Sequence, residues 1–265
     1  MSPAAAAVLA GLLGLAFGSF ANVVIHRVPR GESLVRPGSR CQACGAPIPW
    51  HDNLPVAGWL LLGGRCRACR APIGVRYPLV EAGMGLRWFL LTLRLADAGL
   101  GWAVPAYLAL AFVCVVLAVI DASTRRLPNR ITYPAFPLVL TLLLVASVGL
   151  GDLGRLGRGL LAAAAVGAFF LALALISPGG MGLGDVKLAP TLGLALGWLS
   201  CGAVAFGVFA GFLLGGLAGL VAIALLGLTR KSLLPFGPWL VTGALLGVLA
   251  GADVAAWYTH SLIGS

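Results

Sequence analysis

Eight apolar runs constrain this chain more than any other feature. They span residues 4–25, 79–95, 102–120, 131–150, 159–176, 188–199, 202–228 and 238–257. A helix needs about 20 apolar residues to cross the hydrocarbon of a bilayer, and most of these runs are near that length. The run at 188–199 is short, so it is expected to be half-buried or to extend back through the glycines before it. Only 10% of residues are charged, against 60% hydrophobic, which leaves too little charge to cover a soluble surface. In hydrocarbon every backbone polar group must be satisfied within the chain, and uninterrupted apolar runs do this as helices. The expected fold is therefore an all-α polytopic membrane protein of about eight transmembrane helices, with the lipid bilayer as its surroundings. Gly and Ala crowd the later runs and favour close helix packing. No internal repeat of useful length stands out.

The net charge of +10 is unevenly placed, with eight of the eighteen Lys and Arg within residues 27–76. Basic residues scattered through a loop argue against a nucleic-acid surface and for a cytoplasmic segment of a membrane protein. No Lys or Arg precedes the first run, so no removable signal peptide is expected, and the N-terminus should lie outside. Threading the loops by charge then puts 26–78 inside, 96–101 outside and 121–130, with Arg125, Arg126 and Arg130, inside. Loops 177–187, with Lys187, and 229–235, with Arg230 and Lys231, also fall inside, and the C-terminus outside. Loop 151–158 is ambiguous, because Arg155 and Arg158 stand against Asp152. The expected divisions are a first helix at 1–25, a polar loop at 26–78, a helical core at 79–257 and a tail at 258–265.

The polar loop holds Cys41-x-x-Cys44 and Cys66-x-x-Cys69, separated by 21 residues. Four thiolates in two such knuckles suit a tetrahedral zinc. A loop rich in Gly and Pro has little core of its own, and metal binding would supply folding energy. Four Cys ligands leave no open coordination position, so the role is structural. A disulfide reading is weaker for a loop placed in the reducing cytoplasm. His26 and His51 are expected to be ordinary loop residues, and Cys114 and Cys201 buried small hydrophobes. Within the first run, Gly18-Ser19-Phe20-Ala21-Asn22 reads as a close-packing stretch with Asn22 bonding across helices.

Two carboxylates stand at the ends of apolar runs. Asp121 closes one, and Asp185 sits in Gly179-Gly180-Met181-Gly182-Leu183-Gly184-Asp185-Val186-Lys187. Ionisable groups at membrane depth are expensive and mark function. The loop assignments place both on the cytoplasmic side. Two carboxylates at close range share a proton: one takes a proton from water, while the other polarises a carbonyl. That is aspartic-peptidase chemistry. An ion-coupled transporter uses intramembrane acids too, and the residues alone leave both readings open. A non-enzymatic membrane scaffold is a third. Arg125, Arg126 and Lys187 flank the pair and either tune it or serve as topology charges. The glycines do not make a nucleotide loop, since no strand precedes them.

Several motifs together resemble the bacterial type IV prepilin peptidases, bifunctional leader peptidase and N-methyltransferase enzymes of the GxGD aspartic class. The opening Gly18–Asn22 stretch with His26, Arg27 and Pro29 is similar to the family's first motif. The Cys loop followed by Arg76-Tyr77-Pro78-Leu79-Val80-Glu81 is similar to its zinc loop. Asp121 with Leu127-Pro128-Asn129, the Gly182–Leu188 stretch, and Pro235-Phe236-Gly237-Pro238 resemble the two catalytic segments and a late loop. The resemblance implies a multi-pass inner-membrane enzyme acting on type IV prepilins or type II secretion pseudopilins. It implies Asp121 and Asp185 as catalytic, and Cys41, Cys44, Cys66 and Cys69 as metal ligands. It also implies cleavage after a glycine at the cytoplasmic face, then N-methylation of the new terminus from S-adenosylmethionine. Arg76 and Glu81, beside the loop, are the candidates for the methyl-transfer site, and a peptidase without methyl transfer is the alternative. The loop is too short for a Rossmann domain, so the donor must bind in an unusual site.

Overall fold

The computed structural model describes residues 2–176, 181–226 and 235–263. Gly179 and Gly180 of the glycine stretch, the Arg230–Lys231 loop and the end of the tail lie outside the described residues. The described chain is helical, with two isolated β-bridges and no strand. Its helices are α1 (Pro3–Arg27), α2 (Ala57–Leu61), α3 (Arg76–Asp97), α4 (Val104–Thr124), α5 (Asn129–Gly149), α6 (Leu153–Ile176), α7 (Leu183–Leu199), α8 (Cys201–Leu226) and α9 (Gly237–Tyr258). Each of the eight apolar runs corresponds to one of the eight long helices. Six of these, α1, α4, α5, α6, α8 and α9, are long and apolar enough to cross a membrane. The expected count of eight is thus carried by length and composition for six only. The apolar run of α3 is interrupted by Glu81, Arg87 and Arg94, and α7 has 17 residues.

The chain forms two compact units, Met1–Asp97 and Ala98–Ser265. In the first, α1 and α3 pack along their length, with the Cys loop between them in sequence. Helix α1 opens as a helix should: the Ser2 hydroxyl accepts from Ala5 N–H at 3.2 Å, and Pro3 takes the first turn. Asn22 does bond across helices, its Nδ2 donating to the Tyr77 carbonyl at 3.1 Å.

In the second unit α7 is the centre. It packs against α5, α6, α8 and α9, and every residue from Thr191 to Trp198 is buried. A helix surrounded by protein does not need the length that lipid would demand, which accounts for the short run. It also begins at Leu183, reaching back into the glycine stretch as the sequence allows. Its C-terminal carbonyls, which no helical partner can satisfy, are taken by one side chain. Arg158 donates to Gly197 O at 2.8 Å, Trp198 O at 2.9 Å and Leu199 O at 3.2 Å. Arg155 lies over the Trp198 ring and pairs with Asp152. The ambiguous charges of loop 151–158 therefore do a second job, completing a helix end. Trp198 Nε1 donates to Ser147 Oγ at 2.8 Å and Tyr107 OH to Ala195 O at 2.6 Å, tying α5 and α4 to α7. Cys114 is buried as expected, but Cys201, the first residue of α8, is exposed.

Arg158→Ala should destabilise the protein by about 1–3 kcal/mol, read as a lower melting temperature in detergent. Arg158→Lys should recover only part of that, because an ammonium cannot fork across three carbonyls.

Candidate active site and metal centre

The two acids of the second unit sit at helix ends linked through the loop that follows α4. Asp121 is in the last turn of α4, which closes at Arg125 in the left-handed region (φ 54°), whose N–H bonds the Asp121 carbonyl at 2.7 Å. The hydroxyls of Ser123 and Thr124 turn back onto the Ile120 carbonyl. Asp185 is in the first turn of α7, where helix N–H groups favour a carboxylate. The acids are 7% and 4% exposed, and Asp185 lies within Coulomb range of Asp121.

Three close contacts hold this arrangement. The first is at Gly184, where an added Cβ would stand 2.7 Å from the Leu127 side chain, so the glycine admits the loop that follows Asp121. The second joins α7 to α5: Lys187 Nζ donates to Asn129 Oδ1 at 3.0 Å and lies 5.3 Å from the Tyr133 ring centroid. The third is at the start of α9, where Gly237 N–H donates to Asp121 Oδ2 at 3.0 Å. A Cβ on Gly237 would lie 2.8 Å from that oxygen. Asp185 Oδ1 is buried with no hydrogen-bond partner among the described residues. One carboxylate is thus oriented by a main-chain amide, and the other offers an unsatisfied oxygen. Arg125 and Arg126 are exposed.

In the first unit the four thiols of Cys41, Cys44, Cys66 and Cys69 lie within 4.8 Å of one another. The Sγ atoms of Cys41 and Cys69 are 3.8 Å apart. Four sulfurs at about 2.3 Å from one ion would be about 3.8 Å apart at tetrahedral angles, so the cluster could hold zinc. Each knuckle is built alike. Cys41 N–H bonds Ala46 O at 2.9 Å and Cys66 N–H bonds Ala71 O at 2.9 Å. The chain then turns through Gly45 (φ 74°) in one and Arg70 (φ 60°) in the other. The pattern R-C-x-A-C-x-A-P-I occurs at both 40–48 and 65–73, a short repeat inside the loop that was visible in the sequence. Backbone N–H groups of Cys44 and Ala43 pull the Cys41 thiol down to about 6. At Cys69 the Ala71 N–H favours the thiolate, but its hydrogen bonds with the other three thiols, together with burial, outweigh it and push that thiol up to about 11. Arg67, between Cys66 and Cys69, grips the Asp52 carboxylate with two bonds of 2.7 and 2.6 Å. Its guanidinium holds Asp52 below the usual carboxylate range.

The two residues expected beside the loop part company. Glu81 is 8% exposed and accepts from Val56 N–H at 2.7 Å, whereas Arg76 is exposed, its guanidinium 5.4 Å from the Tyr77 ring centroid. The sequence pointed to Gly237 only as part of the Pro235–Pro238 motif, not to the role of its amide, and it did not single out Val56. Both act through the main chain, and no side-chain identity announces them.

This is the architecture of a polytopic membrane enzyme with an appended four-cysteine module. Residues 12–95 match the Bacterial Peptidase A24 N-terminal domain, and residues 108–224, which hold both acids, match the Type IV leader peptidase family. The prepilin leader peptidase/N-methyltransferase of Aeromonas hydrophila is 35% identical over 95% of this chain and 93% of its own length. The protein of that name from Bacillus subtilis is 31% identical over 96% and 98%. One from Myxococcus xanthus is 39% identical over 72% of this chain and 56% of its own. No solved structure matches significantly. The chain belongs to the type IV leader peptidase family, and it is a peptidase with N-methyltransferase activity.

Replacing Cys41 and Cys44 together by Ser should take the metal-to-protein ratio, measured by elemental analysis, from about one to near zero. The loop should then become sensitive to limited proteolysis. An unchanged ratio would remove the four-thiol centre.

Proposed function

We propose that the chain cleaves the short basic leader of type IV prepilins or type II secretion pseudopilins. Cleavage takes place at the cytoplasmic face of the bacterial inner membrane, and the new N-terminal amine is then methylated. The observation that carries the first half is the buried pair Asp121 and Asp185 at adjoining helix ends, within the part of the chain that matches the leader peptidase family.

The dyad holds one proton between its two carboxylates. Asp121, oriented by the Gly237 N–H, and Asp185, with an unsatisfied oxygen, together bind a water. The ionised carboxylate takes a proton from that water as its oxygen attacks the scissile carbonyl carbon. The protonated carboxyl donates to the carbonyl oxygen. Collapse of the tetrahedral adduct returns a proton to the leaving amine and breaks the C–N bond. No open metal position is needed. Zinc on the four thiolates has a structural part, since the small loop unit lacks a large core. The topology follows the basic loops, with the N-terminus outside and both the Cys module and the acids at the cytoplasmic side.

The methylating half falls to the first unit. Bound S-adenosylmethionine would supply a sulfonium methyl carbon, whose bond to sulfur breaks as its bond to the amine nitrogen forms. Glu81 and Arg76 are the residues of this unit that we assign to holding it.

Intact-mass spectrometry of a prepilin incubated with the purified protein tests the whole reading. Loss of the leader, plus a gain of about 14 Da only when S-adenosylmethionine is present, is expected. Leader loss without the gain would leave a peptidase alone. No change would return the acids to ion-coupled transport. Asp121→Asn and Asp185→Asn should each slow cleavage by about 10²–10⁴-fold while the protein still inserts, and normal processing by either would sink the dyad. Gly237→Ala should slow cleavage by about 10²-fold through displacement of Asp121, with little loss of melting temperature.

A further inference from the structure

The first unit holds a partly open cavity of about 550 Å³. Cavities that enclose small ligands run from about 300 to 1,000 Å³. One wall is a single face of α1, where Ser19, Asn22, Val23 and His26 recur at helical spacing. The facing wall is Tyr77 and Glu81, one turn apart on α3, and the Cys loop closes over both, with Trp59 among its lining residues.

Some of the charged groups around this space are already committed. Asp52 is held by Arg67, and Arg27 donates to the carbonyls of Ser33, Pro37 and Gly38. Two further polar side chains on the cavity walls are buried. Asn22 is 3% exposed, and its Oδ1 is buried with no partner among the described residues. Glu81 is a buried carboxylate held by the Ser19 hydroxyl and by the Val56 N–H. Val56 reaches it only by adopting φ 61°, a conformation that a β-branched residue rarely takes. The chain thus holds an unfavourable backbone where it serves to fix one carboxylate at a cavity wall. These two side chains offer a ligand a carboxylate and an amide oxygen, both acceptors. They suit a molecule rich in donors and carrying positive charge, in a space of nucleoside size.

Resting on the N-methyltransferase reading above, we propose that this cavity is the methyl-donor site. Asn22 and Glu81 receive the hydrogen-bond donors of S-adenosylmethionine, and Val23 forms part of the wall against it. The donor thus sits between α1 and α3 under the Cys module, rather than in a nucleotide-binding domain. Of the two residues assigned above to the donor, Glu81 lines this cavity and Arg76 does not, so this site keeps Glu81 alone of that pair.

The test uses the full-length protein in nanodiscs. S-adenosylhomocysteine, which cannot transfer a methyl group, is titrated calorimetrically into the parent and into Asn22→Ala, Glu81→Gln and Val23→Phe. Saturable binding by the parent, weakened at least about ten-fold in each variant, is expected. Val23→Phe narrows the cavity and leaves every polar group in place, so it decides the matter if either polar variant loses its metal or its melting transition. Photolabelling with 8-azido-S-adenosylmethionine should mark peptides from residues 19–81. Undiminished binding in Val23→Phe, or labelling confined to residues 98–265, would overturn the site while leaving methyl transfer intact. If the parent neither binds S-adenosylhomocysteine nor adds a methyl group to a cleaved prepilin, the N-methyltransferase reading fails and the site fails with it.

Discussion

A carboxylate inside an apolar helical protein is the constraint on which this structure depends. An ionisable group at membrane depth is unfavourable wherever only hydrocarbon surrounds it. The second unit meets the difficulty by putting each acid where a helix stops and the main chain has polar groups to offer. Asp121 lies in the last turn of α4 and Asp185 in the first turn of α7. The ends are brought together by the small volume of Gly184 against Leu127 and by the Lys187–Asn129 bond. The far end of α7 is closed by Arg158, so the helix that carries Asp185 is fixed at both ends. A core helix buried throughout its second half is the rigid element that such a site requires.

The first unit solves a different problem. Between α1 and α3 the loop has one turn of 3-10 helix, one short α-helix and two isolated bridges, too little regular structure to order itself. The two knuckles bring four thiols to one point and the Arg67–Asp52 fork adds a cross-link within the loop. Below them lies a polar-walled space between two helices. Cofactor chemistry next to a bilayer needs such a space, because a donor of methyl groups carries charge that lipid would reject.

Much of this was legible from residue order. Long apolar runs became helices because hydrocarbon permits little else, and paired CxxC spacing brought the thiols together. Asp121 and Asp185 stood out because acids are rare in such a background. What escaped notice has a common physical origin. The short run before Leu199 looked inadequate because sequence shows hydrophobicity but not whether protein or lipid surrounds a helix. Arg158 looked like a topology signal because its charge is visible and its three carbonyl partners are not. The Val56 and Gly237 amides carry no side-chain signature at all. The repeat in the Cys loop was there to be read, hidden by a background of Gly, Ala and Arg.

The Asp121–Gly237 bond also shapes how the site can vary over evolutionary time. Its donor belongs to the peptide unit, so the bond itself depends on no side chain, and what is inherited is a position rather than a chemical identity. Selection on the start of α9 therefore acts on spacing and on the exclusion of bulk. A single insertion or deletion ahead of Gly237 would carry the amide away from its acceptor even if every residue of the site were retained. Drift in this region should consequently preserve the length of the segment and the absence of a side chain at Gly237.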